Sequence, residues 1–357
     1  MRVGPLRRIF VDPRRRIPVA ALMAVATSFA LAAWQPLVSL WLGAALLGVP
    51  HVLSGVRHVA IRDRLTPLTR AAAVAGVAVG AAQLAGAGDG AVRAFVLLFA
   101  LAVGAELAAA LGGAARALAL AGVVVTTAAA LRSPRVTLLA LAHLHAVGAV
   151  IWFAVRARRR GVPAWPLLVA TGLVLLGGAL GAFDRLWAAT LFAPRSAAGS
   201  ILAEAAGAIG LGASRVAMRR VLFLYAFGQA LHFAIWLRLG PELDRPTPLP
   251  HSFGRALALL SDDLGRLTWP ALAACLVAPP LIAVGGGAAR EAYFALTFFH
   301  VGLEAAALAR ALAGAEAPPV AWGATTRRRA PAAISRVRRR PSAPPRADRG
   351  SPSAAAR

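Results

Sequence analysis

Six histidines and two glutamates stand where they could do chemistry. His51, His143, His145, His232, His300, Glu106 and Glu304 lie inside runs of Ala, Leu, Val and Gly, and His58 sits at the edge of one such run. An ionisable side chain in hydrocarbon costs about 3 kcal/mol or more. A chain that keeps several is expected to gather them in a shared polar interior, and imidazole with carboxylate is a donor set for zinc, iron or copper. The single cysteine, Cys275, excludes a cysteine-type zinc or iron–sulfur site. The candidate metal ligands are therefore His51, His58, His143, His145, His232 and His300, with Glu304 and Gln229 as candidate catalytic groups.

The spacing of these residues fixes what a helix can do with them. His51 and His58 are seven apart, so on a regular helix they share a face about 10 Å apart. Pro50, just before His51, can kink the helix there and turn the ring inward. His143 and His145 point to opposite sides of a helix, so one of them, His145 by preference, faces a common centre. Gln229, His232 and Trp236 fall on one face, where Gln229 can orient an imidazole or bind substrate. His300 and Glu304 follow the i, i+4 rule, which lets the carboxylate act as a ligand or hold the ring's other nitrogen. Glu106 stands alone in AVGAELAAAL and is expected either to be protonated or to pair with a histidine. His251 in PTPLPHSFG reads as a solvated loop residue, and Asp262 and Asp263 read as loop or cap residues.

The elements that must position these groups are membrane helices. The chain is 59% hydrophobic and only 15% charged, against about a quarter charged in soluble domains. Its apolar runs are long and continuous, unlike the short alternating strands of a β-barrel. About twenty apolar residues make a span, which gives an all-α bundle of about ten transmembrane helices near 17–34, 36–56, 71–88, 91–112, 115–131, 136–156, 163–182, 219–239, 270–288 and 291–313. The segment 199–213 is too short to count and reads as a re-entrant or interfacial piece. The domain plan is a basic N-terminus (1–16), a membrane domain (17–316) and an Arg-, Pro-, Ser- and Ala-rich tail (317–357) with too little apolar surface to fold.

All 39 basic residues are arginine, and neither lysine nor asparagine occurs, the mark of a GC-rich bacterial genome. The net charge of +25 sits at helix ends and in the tail, with no basic and aromatic groove. It is therefore read as membrane topology, and no nucleic-acid partner is expected. Arginines at the N-terminus, at 57–70, at 156–160 and in the tail put both termini on the cytoplasmic side of a bacterial inner membrane, with the tail against anionic lipid headgroups. Arg215, Arg219 and Arg220 then fall on the opposite side, against the rule.

The stretch Gly48-Val49-Pro50-His51, with further histidines in later spans, resembles the bacterial membrane carotene-cleaving dioxygenases. The resemblance covers about a dozen residues plus the general layout. It implies a multi-span bundle whose histidines, from separate helices, hold one non-haem iron that activates oxygen. The family motif continues with Gly and then Asp; here Val52 follows His51 and no Asp is near. Together these readings give a membrane metal oxygenase or hydroxylase acting on a lipid or isoprenoid. The alternatives are a zinc lipid hydrolase and a non-enzymatic transporter or haem-binding protein.

Overall fold

A bilayer offers the backbone no water, so each N–H and C=O must be satisfied within its own segment, and long runs of Ala, Leu and Val close into helices. A computed structural model of the chain, describing residues 12–62, 65–188, 215–244 and 253–314, is helical with no strand among them. The helices are α1 (Pro13–Trp34), α2 (Pro36–Leu42), α3 (Gly48–Gly55), α4 (Pro67–Leu84), α5 (Gly88–Ala110), α6 (Gly113–Arg132), α7 (Pro134–Arg159), α8 (Trp165–Leu180), α9 (Asp184–Ala188), α10 (Arg215–Ala234), α11 (Gly240–Leu243), α12 (Phe253–Leu264), α13 (Thr268–Thr297) and α14 (Phe299–Leu312). Wider π-helical turns interrupt them at Gly43–Leu47, Val56–Arg62 and Ile235–Leu239.

Local sequence sets the boundaries. Proline, which needs no N–H in the first turn, opens α1, α2, α4 and α7. Asp12 caps α1 by accepting from the Arg14 N–H at 2.9 Å, and Thr66 caps α4 by accepting from the Thr69 N–H at 3.2 Å. Gly181, at φ +84°, closes α8 in the left-handed conformation that only glycine adopts cheaply.

Six helices among the described residues are long and apolar enough to cross a membrane: Pro13–Trp34, Pro67–Leu84, Gly88–Ala110, Gly113–Arg132, Arg219–Leu243 and Leu257–Leu281. Their outer faces are what lipid requires. In α6 no residue is buried, and Leu118, Val124 and Val125 are each about two-thirds or more exposed. The other expected spans are helical too but are short, broken or charged. The stretch 36–56 is interrupted by the π turn at Gly43–Leu47, 136–156 lies in α7 with its terminal arginines, α8 has 16 residues, and 291–313 breaks at Phe298. Residues 199–213, His251 and the tail 317–357 lie outside the described residues.

The packed interior lies where α1, α7, α10 and α14 meet, around the fully buried Trp152, Phe153, Phe223, Phe227 and Trp236. Charged groups tie the helix ends. At one end Arg16 pairs with Glu242, Arg159 donates to the Ala311 carbonyl, Arg160 donates to the Leu243 carbonyl, and Arg57 and Arg62 pair with Asp263. At the other end Arg220 pairs with Asp184 at 2.5 Å.

Candidate metal centre

His51, on α3, is brought into place by the chain just before it. The π turn over Gly43–Leu47 ends at Gly48, whose carbonyl accepts a 2.7 Å hydrogen bond from His51 Nδ1. Gly48 also has to be glycine for contact, since a Cβ there would come 2.1 Å from the Tyr293 hydroxyl. His300 is held in the same way from the far end of the sequence. The break at Phe298 leaves the Thr297 carbonyl free to accept from His300 Nδ1. With both δ nitrogens donating to carbonyls, both ε nitrogens present lone pairs, and they face each other at 3.2 Å. Two lone pairs repel at that distance unless a cation or a shared proton lies between them.

His232, on α10, joins the pair with its ring centroid 5.1 Å from that of His51. It is fully buried, and neither of its ring nitrogens has a hydrogen-bond partner. Its Nε2 lies 3.4 Å from Glu304 Oε1. Glu304 is buried too, with the Trp236 indole beside its carboxylate. Gly55 lines the carboxylate on the α3 side, where a Cβ would stand in ordinary contact, 3.7 Å from Oε1. Ser54 donates to the Trp236 carbonyl at 2.6 Å, which fastens α3 to the π turn after His232. Insertions of this kind recur at functional sites because they re-aim side chains, and three of them flank this one.

One donor atom from each of His51, His232, His300 and Glu304 lies within 4.8 Å of the others. Metal–nitrogen bonds of about 2.0–2.1 Å put neighbouring ligands of a tetrahedral ion about 3.3 Å apart. The 3.2 and 3.4 Å separations match that spacing. Buried polar groups are nearly always satisfied, and leaving several unmet is costly. A divalent cation would take one donor from each of the four residues, and the two backbone carbonyls fix His51 and His300 in the tautomer a metal needs. The buried His3Glu cluster could thus hold a metal ion.

The remaining sequence candidates are placed as follows. His145, on α7, borders the cluster with its ring 4.6 Å from His232 and its Nδ1 donating to the Leu141 carbonyl. Gln229 makes a long 3.4 Å contact from its amide nitrogen to His145 Nε2, and it also meets Tyr225. Gln229 therefore orients a neighbouring imidazole rather than contributing a donor to the four. His143 packs against Tyr225, 5.1 Å between ring centres, on the other side of α7. His58 is not in the cluster. The π turn at Val56–Arg62 abandons the regular helical repeat, so His58 leaves the face of His51 and its Nδ1 bonds Asp244 at 3.0 Å.

Glu106 meets no histidine among the described residues, which corrects the histidine pairing weighed for it. It accepts from the Thr66 N–H at 2.7 Å, from the Thr69 hydroxyl at 2.7 Å and from Arg310 at 3.0 Å. It sits at the end of α5 beside the start of α4, so the carboxylate serves the donors of a helix N-terminus. Asp263 lies within α12 rather than in a loop and binds Arg57 and Arg62. Sequence reasoning missed Asp244 and the Gly48–Tyr293 contact. The sequence GVPH hinted at the second by placing a glycine three residues before a candidate ligand. Comparison of the chain with family models, with characterised proteins and with solved structures gives no match.

Proposed function

We propose that this is a membrane-embedded metal enzyme of the oxygenase or hydroxylase type, with non-haem iron held by His51, His232, His300 and Glu304 and a lipid or isoprenoid chain as substrate. The observation that carries the reading is the convergence of four buried donors from three helices, two of them already tautomer-locked. A set of three imidazoles and one carboxylate suits iron and leaves coordination positions open. Iron bound there would supply the activation of oxygen. The chain's own part is to hold the donors, to orient His145 through Gln229, and to keep bulk water out with the packed aromatic wall of Trp152, Phe227 and Trp236. The GVPH resemblance to carotene-cleaving dioxygenases points the same way. The 3.2 Å approach of the His51 and His300 ε nitrogens favours a single small ion between them.

Elemental analysis of protein purified from cells grown with both metals tests this. Iron near one per chain is the expected result. Stoichiometric zinc would move the reading to hydrolysis of a lipid ester or amide, with Glu304 as base beside a zinc-bound water. A metal-free preparation that keeps its helical content and elution profile would remove the enzyme reading.

Ten crossings of a bacterial inner membrane, with both termini cytoplasmic, form part of the same proposal. The Asp184–Arg220 ion pair supports it by holding the two flanks of 189–214 at one end of the bundle, which favours an even count. The same pair offsets one of the arginines that seemed misplaced. A fluorescent reporter fused to the C-terminus should light up and a periplasmic phosphatase fused there should stay silent. Fusions after residue 188 should behave the opposite way. Reversed signals at either point would refute the ten-span arrangement.

A further inference from the structure

On α14 the candidate ligands alternate with residues of a different kind. Phe299 and Leu303 immediately precede His300 and Glu304, about 100° round the helix from them. With Gly302 they line a small cavity between α14, α4 and α5, whose further walls include Thr69, Ala72 and Phe99. One part of the rim is tight, since a Cβ on Gly76 would come 2.9 Å from that of Phe299. The α5 side is looser. Leu98 and Phe99 are half-buried there, whereas Ala72, Gly302 and Leu303 are buried. Leu97 and Leu101, on the outer face of α5, are exposed, so this looser side meets the bilayer.

Size and polarity select what such a space can hold. It has room for about one water-sized molecule, so an acyl or isoprenoid chain is too long for it. Water needs about two to four polar partners to stay in a buried site. Thr69 is the one polar side chain among the described lining residues, and its hydroxyl already donates to Glu106 at 2.7 Å and lies 2.9 Å from the Thr66 hydroxyl. Apolar cavities stay dry and take up small apolar solutes such as xenon. Nor does packing force the space to exist. Gly302 lies inside α14, where glycine costs about 0.5–1 kcal/mol against alanine. A Cβ there would meet no other helix nearer than Phe99, at 3.8 Å.

We propose that this cavity binds one small apolar gas molecule, dioxygen in the cell, on the far side of a single helix from the metal donors. Dioxygen has no strong hydrogen bonds to lose, favours hydrocarbon over water, and reaches the loose side of the cavity through the bilayer. The choice of dioxygen among apolar gases rests on the oxygenase reading above. The capacity to hold such a molecule rests on the cavity alone.

The test is methyl NMR of the full chain in detergent, with zinc in place of any iron so that the only paramagnet is dissolved oxygen. Xenon pressure should shift the methyl signals of Leu303 and Ala72 along a saturating curve, and nitrogen at equal pressure should leave them in place. Leu118, 77% exposed on α6, reports gas dissolved in the detergent and should change without saturating. Gly302→Ala adds one methyl to the space and fits beside Phe99, so it should keep the helical content and lose the saturable shift. Leu98→Ala enlarges the same space and should lower the half-saturating pressure. Oxygen in place of nitrogen should broaden the Leu303 signal in the wild type, and Gly302→Ala should lose that broadening. A wild-type chain with no saturable shift, a folded Gly302→Ala chain that keeps it, a half-saturating pressure unmoved by Leu98→Ala, or equal oxygen broadening in wild type and Gly302→Ala would overturn the site. None of these readouts depends on which metal the histidines take, so gas binding and the iron assignment fail separately.

Discussion

Purified His300→Ala protein is expected to bind its metal at least about tenfold more weakly than the wild-type chain, and to emerge from purification nearly metal-free. His51→Ala should do the same. The reasoning is geometric. The ε nitrogens of these two rings face each other at 3.2 Å, and each ring is fixed by a carbonyl on its other side. Removing either ring deletes a donor that no neighbour can replace, because Gln229 already engages His145 Nε2. His143→Ala and His58→Ala serve as internal controls. Both remove a membrane-region histidine, yet His143 packs on Tyr225 and His58 on Asp244, so both should keep the metal. Elemental analysis of the four proteins side by side reads the contrast. Full metal occupancy in folded His300→Ala, or equal loss in all four, would show that the cluster is not the binding site.

Asp244→Asn should destabilise the chain by about 3–5 kcal/mol, the usual cost of leaving buried charges without their partner. Burial alone would push this carboxyl upward. The hydrogen bond from His58 and the charges of Arg156 and Arg160 overcome that and hold it well below the ordinary carboxylate range. The sign follows from linkage. A carboxyl depressed in the folded chain adds stability that is complete above its unfolded pKa of about 3.9 and is lost as pH falls below it. His58 acts earlier on the scale. Burial lowers its pKa despite the Asp244 bond, so its neutral form is favoured by folding and that contribution fades as pH drops below about 6.5. Denaturant unfolding in detergent should show the wild type losing stability in two stages on acidification. The difference between wild type and Asp244→Asn should be large and constant from pH 7 down to about 4, and should shrink progressively only below the unfolded pKa of about 3.9. A difference independent of pH would contradict this account of Asp244.

Much of this architecture was legible in the chain, for reasons that particular residues make plain. The apolar runs could only be helices, and Pro13, Pro36, Pro67 and Pro134 open helices where proline costs nothing. His51, His232, His300 and Glu304 stood out because ionisable groups are expensive in hydrocarbon, and the i, i+4 spacing of His300 and Glu304 put both on one face before any contact was known. His58 went astray because helical periodicity assumes one pitch throughout, and no residue between 56 and 62 announces the wider turn that takes it to Asp244. Glu106 went astray because an isolated acid in an apolar run gives no sign of its partners. Its partners are the start of α4 and Arg310, the latter 204 residues away in sequence. Pairings between distant segments are set by packing, which local pattern does not encode.

His51 and His300 are separated by 249 residues. A nascent chain that has inserted every helix up to α13 still lacks two of the four donors, since His300 and Glu304 both ride on α14. A metal held by these four donors would therefore load among the last events of biogenesis, after membrane insertion is nearly complete. A ribosome that stalls before α14 would release a chain with its helices in the bilayer and an unfinished pocket at its centre.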